Sequence, residues 1–270
     1  MAQPTFREAL AKFAGKIAVT SDLTSAEWLA AVPAALRDRA LFSARVTNAQ
    51  LLQGLRGGVD SLLSATTDPA TARLEIRRLL QSIGYQPEAK DRGTIKDLSS
   101  DARINLQLSQ NVQSAQGYGQ WSQGQEPGAV DAFPAQELFR LESRDEPRDW
   151  PTRWNGARGE LGNATTATDG RVAMVALKSD PIWEKLSTFG VPWPPFDFNS
   201  GMWVRDVDRR RAEELGVIQP GQRATSSVEQ FNRDLQASAR DMDAATLAGL
   251  KASFGDQISI EGDAVVWQGQ

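Results

Sequence analysis

Hydrophobic positions recur mostly at helical spacing through the first half of this chain and at mixed spacing through the second. In TSAEWLAAVPAALRD, Thr24 stands three residues before Glu27, the spacing at which each side chain can bond the other's backbone N–H, and the segment then runs apolar through Trp28, Leu29 and Val32. A helix is expected there, broken or kinked at Pro33. Residues 41–63 carry Leu41, Val46, Leu51, Leu52, Leu55, Val59, Leu62 and Leu63 near a helical period, weakened at Gly57 and Gly58, and predict one helix over the whole stretch. Asp68-Pro69 is a cap followed by proline at the first helical position, and it predicts a helix through Leu74, Ile76, Leu79 and Leu80 that Gly84 stops. Ser99 or Ser100 is placed to cap a further helix with Ile104, Leu108, Val112 and Ala115 on one face.

The second half changes character. GYGQWSQGQEPG, residues 117–128, is rich in Gly and Gln without apolar periodicity and reads as a hinge. ELFRLE, residues 137–142, alternates as a half-buried strand does, and RVAMVAL, residues 171–177, is a second strand candidate. A short helix is expected over residues 149–157, with Trp150 and Trp154 on one side. Asp180-Pro181 repeats the cap-then-proline signal ahead of Trp183 and Leu186. VPWPPFDF excludes helix and central strand, because its prolines remove donors and restrict their predecessors. Residues 206–215 read as a charged helix closed by Gly216, residues 228–254 as another helix, and QISI-EGD-AVVW as a hairpin.

Together these elements predict an α+β fold. A mainly helical N-terminal lobe occupies residues 1–116, a flexible joint 117–136, a small mixed α/β module with long Pro/Trp-rich loops 137–218, and a C-terminal helix and hairpin arm 219–270. Aromatic residues and prolines concentrate in residues 168–218, which suits a rigid segment packed by large side chains.

Composition narrows the chemistry. A chain of 270 residues, 40% hydrophobic and 24% charged, can bury one or two cores. A net charge of −4 argues against a surface devoted to nucleic acid. Cysteine and histidine are both absent, which excludes disulfides, thiolate sites, imidazole bases, Ser-His and Cys-His triads and the usual zinc sites. Catalysis would have to rest on carboxylates, Lys, Tyr or Ser, or on an oxygen-ligated metal. The N-terminus has no signal-peptide core and no window approaches about 18 uncharged apolar residues, so a soluble protein without membrane association is expected. GYGQW follows a predicted helix and lacks a Lys-Ser/Thr ending, so it is not a phosphate loop, and no cofactor is expected.

Each candidate site has a structural reading beside a functional one. Asp169-Gly170 reads as a turn. Asp169, Asp180, Glu184 and Asp197 could converge on a cation or act as acid and base, but Asp180 is accounted for as a cap and no spacing selects a metal. In RDVDRRR, residues 205–211, the arginines alternate with carboxylates and read as a solvated helix face. The tryptophans read as core. Any that are exposed would suit a protein interface, with Trp150, Trp154, Trp193, Trp203, Arg205 and Arg209 as its candidates.

The ordered set Asp169-Gly170, Asp180-Pro181 with Trp183, and Pro194-Pro195 leading through Phe196 and Phe198 toward a helix resembles the C-terminal module of the phage Mu F-like minor head proteins, or phage head morphogenesis proteins. DLSSDARINLQLSQN, GYGQW, FPAQELFRLESR, PRDWPTRW and DPIWEKLSTFGVPWPPFDFNSGM are similar to a subgroup of the same proteins, so the resemblance covers residues 99–218. That family has a His-bearing segment before its D-G turn and a Cys-Arg-Cys ending after its P-P loop. This chain has neither, and FDFNSGMW stands after Pro194-Pro195, so no metal or thiol role can operate at those positions.

The resemblance implies a non-enzymatic minor structural protein of a tailed phage, without cofactor, associated with the portal vertex during procapsid assembly. Its implied partners are the portal and major capsid proteins, with weak contact to packaged DNA and an oligomeric arrangement in the particle. Its implied location is the host cytoplasm during assembly and then the virion, at the portal vertex or in the capsid interior. Two alternatives stand beside it. One is a toxin-like transferase or hydrolase using Asp169, Asp180, Glu184 and Asp197 in one cleft, since modules of this family occur fused to toxin domains. The other is a DNA-contacting ejection protein with a contiguous basic face of Arg205, Arg209, Arg210 and Arg223.

Overall fold

The computed structural model describes residues 7–162, 174–227, 236–239 and 242–268. The fold is α+β and comprises two compact units whose boundary falls between Gln116 and Gly117, the C-terminal segment belonging to the first.

The first unit opens with α1 (Arg7–Ala14), β1 (Ile17–Val19), α2 (Ser25–Ala31), α3 (Ala34–Arg39) and β2 (Ala40–Phe42). It continues with α4 (Ala49–Leu63), α5 (Pro69–Ser82) and the first part of α6 (Asp101–Gly124). The local signals act as their chemistry requires. Thr24 and Glu27 form the reciprocal capping box, Pro33 separates α2 from α3, and Asp68 accepts from Ala70 and Thr71 ahead of Pro69. Gly84 turns the chain after α5 at φ 75°, and Ser100 Oγ accepts from Arg103 N at the start of α6.

Two cores hold this unit. Phe13, Leu52, Val59, Leu63, Ile76, Leu80, Ile104 and Leu108 join α1, α4, α5 and α6. Trp28, Val32 and Leu36 pack with Leu250, Phe254, Ile258 and Val265 from the C-terminal segment, and Trp28 stacks on Phe42 at 4.4 Å.

Four expectations are corrected. Residues 41–63 are not one helix: Leu41 pairs with Ala18 in the parallel β1–β2 ladder, and the helix starts only where Asn48 accepts from Leu51 N. The C-terminal segment is not an arm. Its helix α11 (Ala244–Phe254) and its sheet of β6 (Gln236–Ser238), β7 (Ile258–Glu261) and β8 (Ala264–Trp267) belong to the first unit, with strand order β6-β8-β7. The helix expected over 228–254 is therefore confined to α11, capped by Asp243, while residues 228–235 lie outside the described residues. The hinge expected at 117–128 is helical through Gly124, because Tyr118 and Trp121 supply an aromatic face that the spacing of small residues conceals.

The second unit adds α7 (Pro127–Ala132), β3 (Ala135–Arg140), α8 (Trp150–Glu160), β4 (Val175–Leu177), α9 (Ile182–Leu186), β5 (Met202–Val207) and α10 (Arg209–Glu214). Its antiparallel sheet has the order β4-β3-β5. Residues 206–215 are not all helix, since Asp206 and Val207 pair in β5 and Asp208 caps α10. β5 escapes an alternation test because Arg205 and Asp206 interrupt it, yet it pairs with β3 over six positions, from Ala135↔Val207 to Arg140↔Met202. Of the strand expected over 171–177, the described part is β4.

Successive residues face opposite sides of this sheet. Leu138, Ala176, Met202 and Val204 pack under α8 and α9, whereas Ala135, Val175 and Val207 pack against Ala212 and Ile218. Among the described residues, no helix is long and apolar enough to cross a membrane.

Candidate functional site

The aromatic module of the second unit is built on α8. Trp150, Arg153, Trp154 and Arg158 fall three, four and eight residues apart, so a helix puts them on one side. Trp150 and Trp154 are fully buried, and Trp154 meets Trp183 edge-on at 5.5 Å. Arg153 lies over Trp150 at 4.8 Å, donates to Asp197 Oδ2 at 3.0 Å and to Thr188 Oγ1 at 3.1 Å, and also donates to Leu186 O. Arg158 lies over Trp154 at 5.4 Å and donates to Asp180 Oδ2 at 2.9 Å. Both guanidiniums thus stack on an indole and fork onto oxygens of the loops opposite, a use that suits Arg and not Lys.

Those loops carry the sequence signature. Asp180 Oδ1 accepts from Ile182 N, and Pro181 sits at the helix N-cap of α9. Trp183 is fully buried, and its Nε1 donates to Leu177 O at 2.7 Å. Pro194-Pro195 is a cis peptide, both prolines are buried, and Phe196 packs beside Trp183 at 6.0 Å. Phe198 meets Phe189 edge-on at 4.9 Å. Trp193 is buried between Tyr118 and Trp121 of α6, each ring centroid at 5.1 Å. Asp169 and Gly170 lie outside the described residues.

The six candidate interface residues do not form one surface. Trp150, Trp154 and Trp193 are core, and Trp203 is 9% exposed with its Nε1 donating to Gln120 Oε1 at 2.6 Å. Arg205 is exposed and meets Glu137 at 2.8 Å, directly across the β3–β5 pair. Arg209 bonds Asp131 at both its side chain and its carbonyl. The tryptophan side chains are spent on packing because this unit is small and needs large apolar groups on both faces of its sheet.

The carboxylates do not share a cleft. Asp180 caps α9 and pairs with Arg158, whereas Asp197 bonds Phe198 N and pairs with Arg153. Glu184 stands on α9 with its surface open, although the surrounding protein desolvates its carboxyl enough to raise its pKa. Among the described residues no three His, Cys, Asp or Glu side chains are placed to hold a metal. Nor do the arginines of residues 205–211 form an uncompensated basic face: Arg205 pairs with Glu137, Arg209 with Asp131, and Arg210 and Arg211 with Glu214.

Sequence reasoning missed three structural contributors. Gln120 accepts from Trp203 and donates to Val204 O at 3.2 Å, which ties the end of α6 to β5. Lys178, almost wholly buried, bridges Asp206 at 2.8 Å and Gly124 O at 3.2 Å. Arg158 completes the set, and for it alone a signal was present in the i,i+4 spacing from Trp154.

No family model matches the chain, and no curated protein or solved structure matches it.

Proposed function

We propose that this chain is a non-enzymatic structural component of a tailed-phage head, acting in procapsid assembly beside the portal or the inner capsid wall. The observation that carries the reading is the use made of the motif residues. Asp180, Pro181, Trp183, Pro194, Pro195 and Phe196, on which the resemblance to Mu F-like head proteins rests, are joined in packing or hydrogen bonding around one core. Such residues fix a shape, and a fixed shape is what an assembly part presents to its neighbours. With the tryptophans inside, the apolar contribution to a partner surface falls to Phe133 and Leu141, exposed at either end of β3.

In this reading the chain binds the portal or major capsid protein in the host cytoplasm and is then retained in the virion. The test is affinity capture of the full chain with its cognate portal under conditions where procapsids form. Recovery of portal with wild type, and its loss in Phe133→Asp/Leu141→Asp with unchanged circular dichroism, is expected. Failure to recover portal with wild type would remove that partner.

A further inference from the structure

The first unit holds a groove of about 650 Å³, within the size range of small-ligand sites, whose lining includes Arg45, Tyr85, Ile95, Lys96, Leu98 and Arg103. At its inner wall Arg103 is 8% exposed and has no carboxylate within ion-pair distance among the described residues. Both hydrogen bonds that its guanidinium makes leave from Nη2, to Ser43 Oγ at 2.9 Å and Ala44 O at 2.8 Å, while Nε is buried without an acceptor. Burial lowers its pKa, as expected for a cation withdrawn from water without an anion beside it. A buried charge of this kind is costly unless something compensates it.

The rim has the same sign. Arg45 stands at φ 58°, a backbone region that costs a non-glycine residue energy and that marks functional sites more often than ordinary loops. Lys96 is exposed, and Lys90 and Glu88 cancel one another at 2.8 Å. The lining thus has four cations against two carboxylates, a local excess in a chain whose net charge is −4. An excess of two positive charges matches a phosphomonoester, which carries roughly −1.5 to −2 at neutral pH and three acceptor oxygens for the guanidinium. The volume exceeds what bare phosphate needs, and Tyr85, Ile95 and Leu98 offer an apolar wall to an organic body.

We propose that this groove binds a small phosphomonoester, its phosphate held by Arg103, Arg45 and Lys96 and its organic part set against Tyr85 and Ile95. The inference does not rest on the phage-head reading. Calorimetric titration of the full chain at low ionic strength tests it with inorganic phosphate, ribose 5-phosphate, adenosine 5′-monophosphate and adenosine as probes. Saturable binding of the two esters, with none of adenosine, is expected. The exposed double variant Arg45→Glu/Lys96→Glu should weaken ester binding by about tenfold or more while the fold is retained, and Arg103→Gln should abolish it. Inorganic phosphate binding as tightly as the esters would overturn the role of the organic part. Absence of saturable binding by any phosphate probe, or undiminished binding by Arg45→Glu/Lys96→Glu, would overturn the site.

Discussion

Arg158 Nη1 stands 2.9 Å from Asp180 Oδ2, and the other oxygen of that carboxylate accepts the Ile182 N–H at 2.9 Å, so one side chain both starts a helix and neutralises a buried guanidinium. Asp180→Asn keeps a capping oxygen but strands Arg158 above Trp154. Losing one partner of a buried pair costs about 3–5 kcal/mol, and the partial exposure of Asp180 favours the lower end. Urea unfolding followed by tryptophan fluorescence should show a loss near ~3 kcal/mol, mostly restored in Arg158→Met/Asp180→Asn. A loss under ~1 kcal/mol would place the pair among weak surface bridges.

Two helical glycines should respond oppositely to alanine. Gly57, inside α4, has open space where a Cβ would stand, so Gly57→Ala should stabilise by about 0.5–1 kcal/mol. At Gly117 the added methyl would land on the carbonyl of Pro194, and Gly117→Ala should destabilise by about 1–3 kcal/mol despite better helix propensity. Thermal unfolding of both variants decides the matter. A stabilising Gly117→Ala would mean that α6 and the proline loop do not approach as closely as described.

Gly117 also shows why part of the fold was legible and part was not. Caps are local: Thr24, Asp68, Ser100, Asp149 and Asp180 announce their helices because each acts within three residues of itself. The hinge expected at 117–128 failed because Gly117 answers to Pro194, 77 positions away, which no local pattern expresses. β5 failed for the same reason, since Arg205 is acceptable in a strand only because Glu137 lies opposite. In the candidate site, the packing of Asp180, Trp183 and Phe196 could be anticipated from the aromatic density of residues 168–218. The burial of Trp150, Trp154 and Trp193 could not be distinguished from exposure before the sheet supplied two faces to cover.

Lys16 predicts a pH dependence. Its ammonium is buried, donates to Asp38 O at 2.6 Å and Ala40 O at 3.3 Å, and has its pKa lowered by desolvation from 10.5 to about 8, with Asp38 acting in the opposite sense. Between these values the unfolded chain holds the proton more strongly than the folded one, so stability should rise with pH across that interval. The full shift corresponds to about 3 kcal/mol at ~1.36 kcal/mol per unit. Above pH ~10 the Tyr85 phenol, its pKa raised by desolvation, acts in the opposite direction and closes the window. Denaturant midpoints from pH 7.5 to 10 should climb for wild type and stay level for Lys16→Met. A wild-type midpoint that falls over this range would contradict the burial of Lys16.

The most direct test of a head-assembly role is the composition of assembled particles. Procapsids formed from the cognate portal and major capsid proteins with the full chain present are purified away from free protein and quantified by mass spectrometry. The chain should be retained in portal-containing procapsids at a fixed copy number and be missing from shells assembled without portal. Its absence from both, or equal amounts in both, would contradict a portal-associated assembly role.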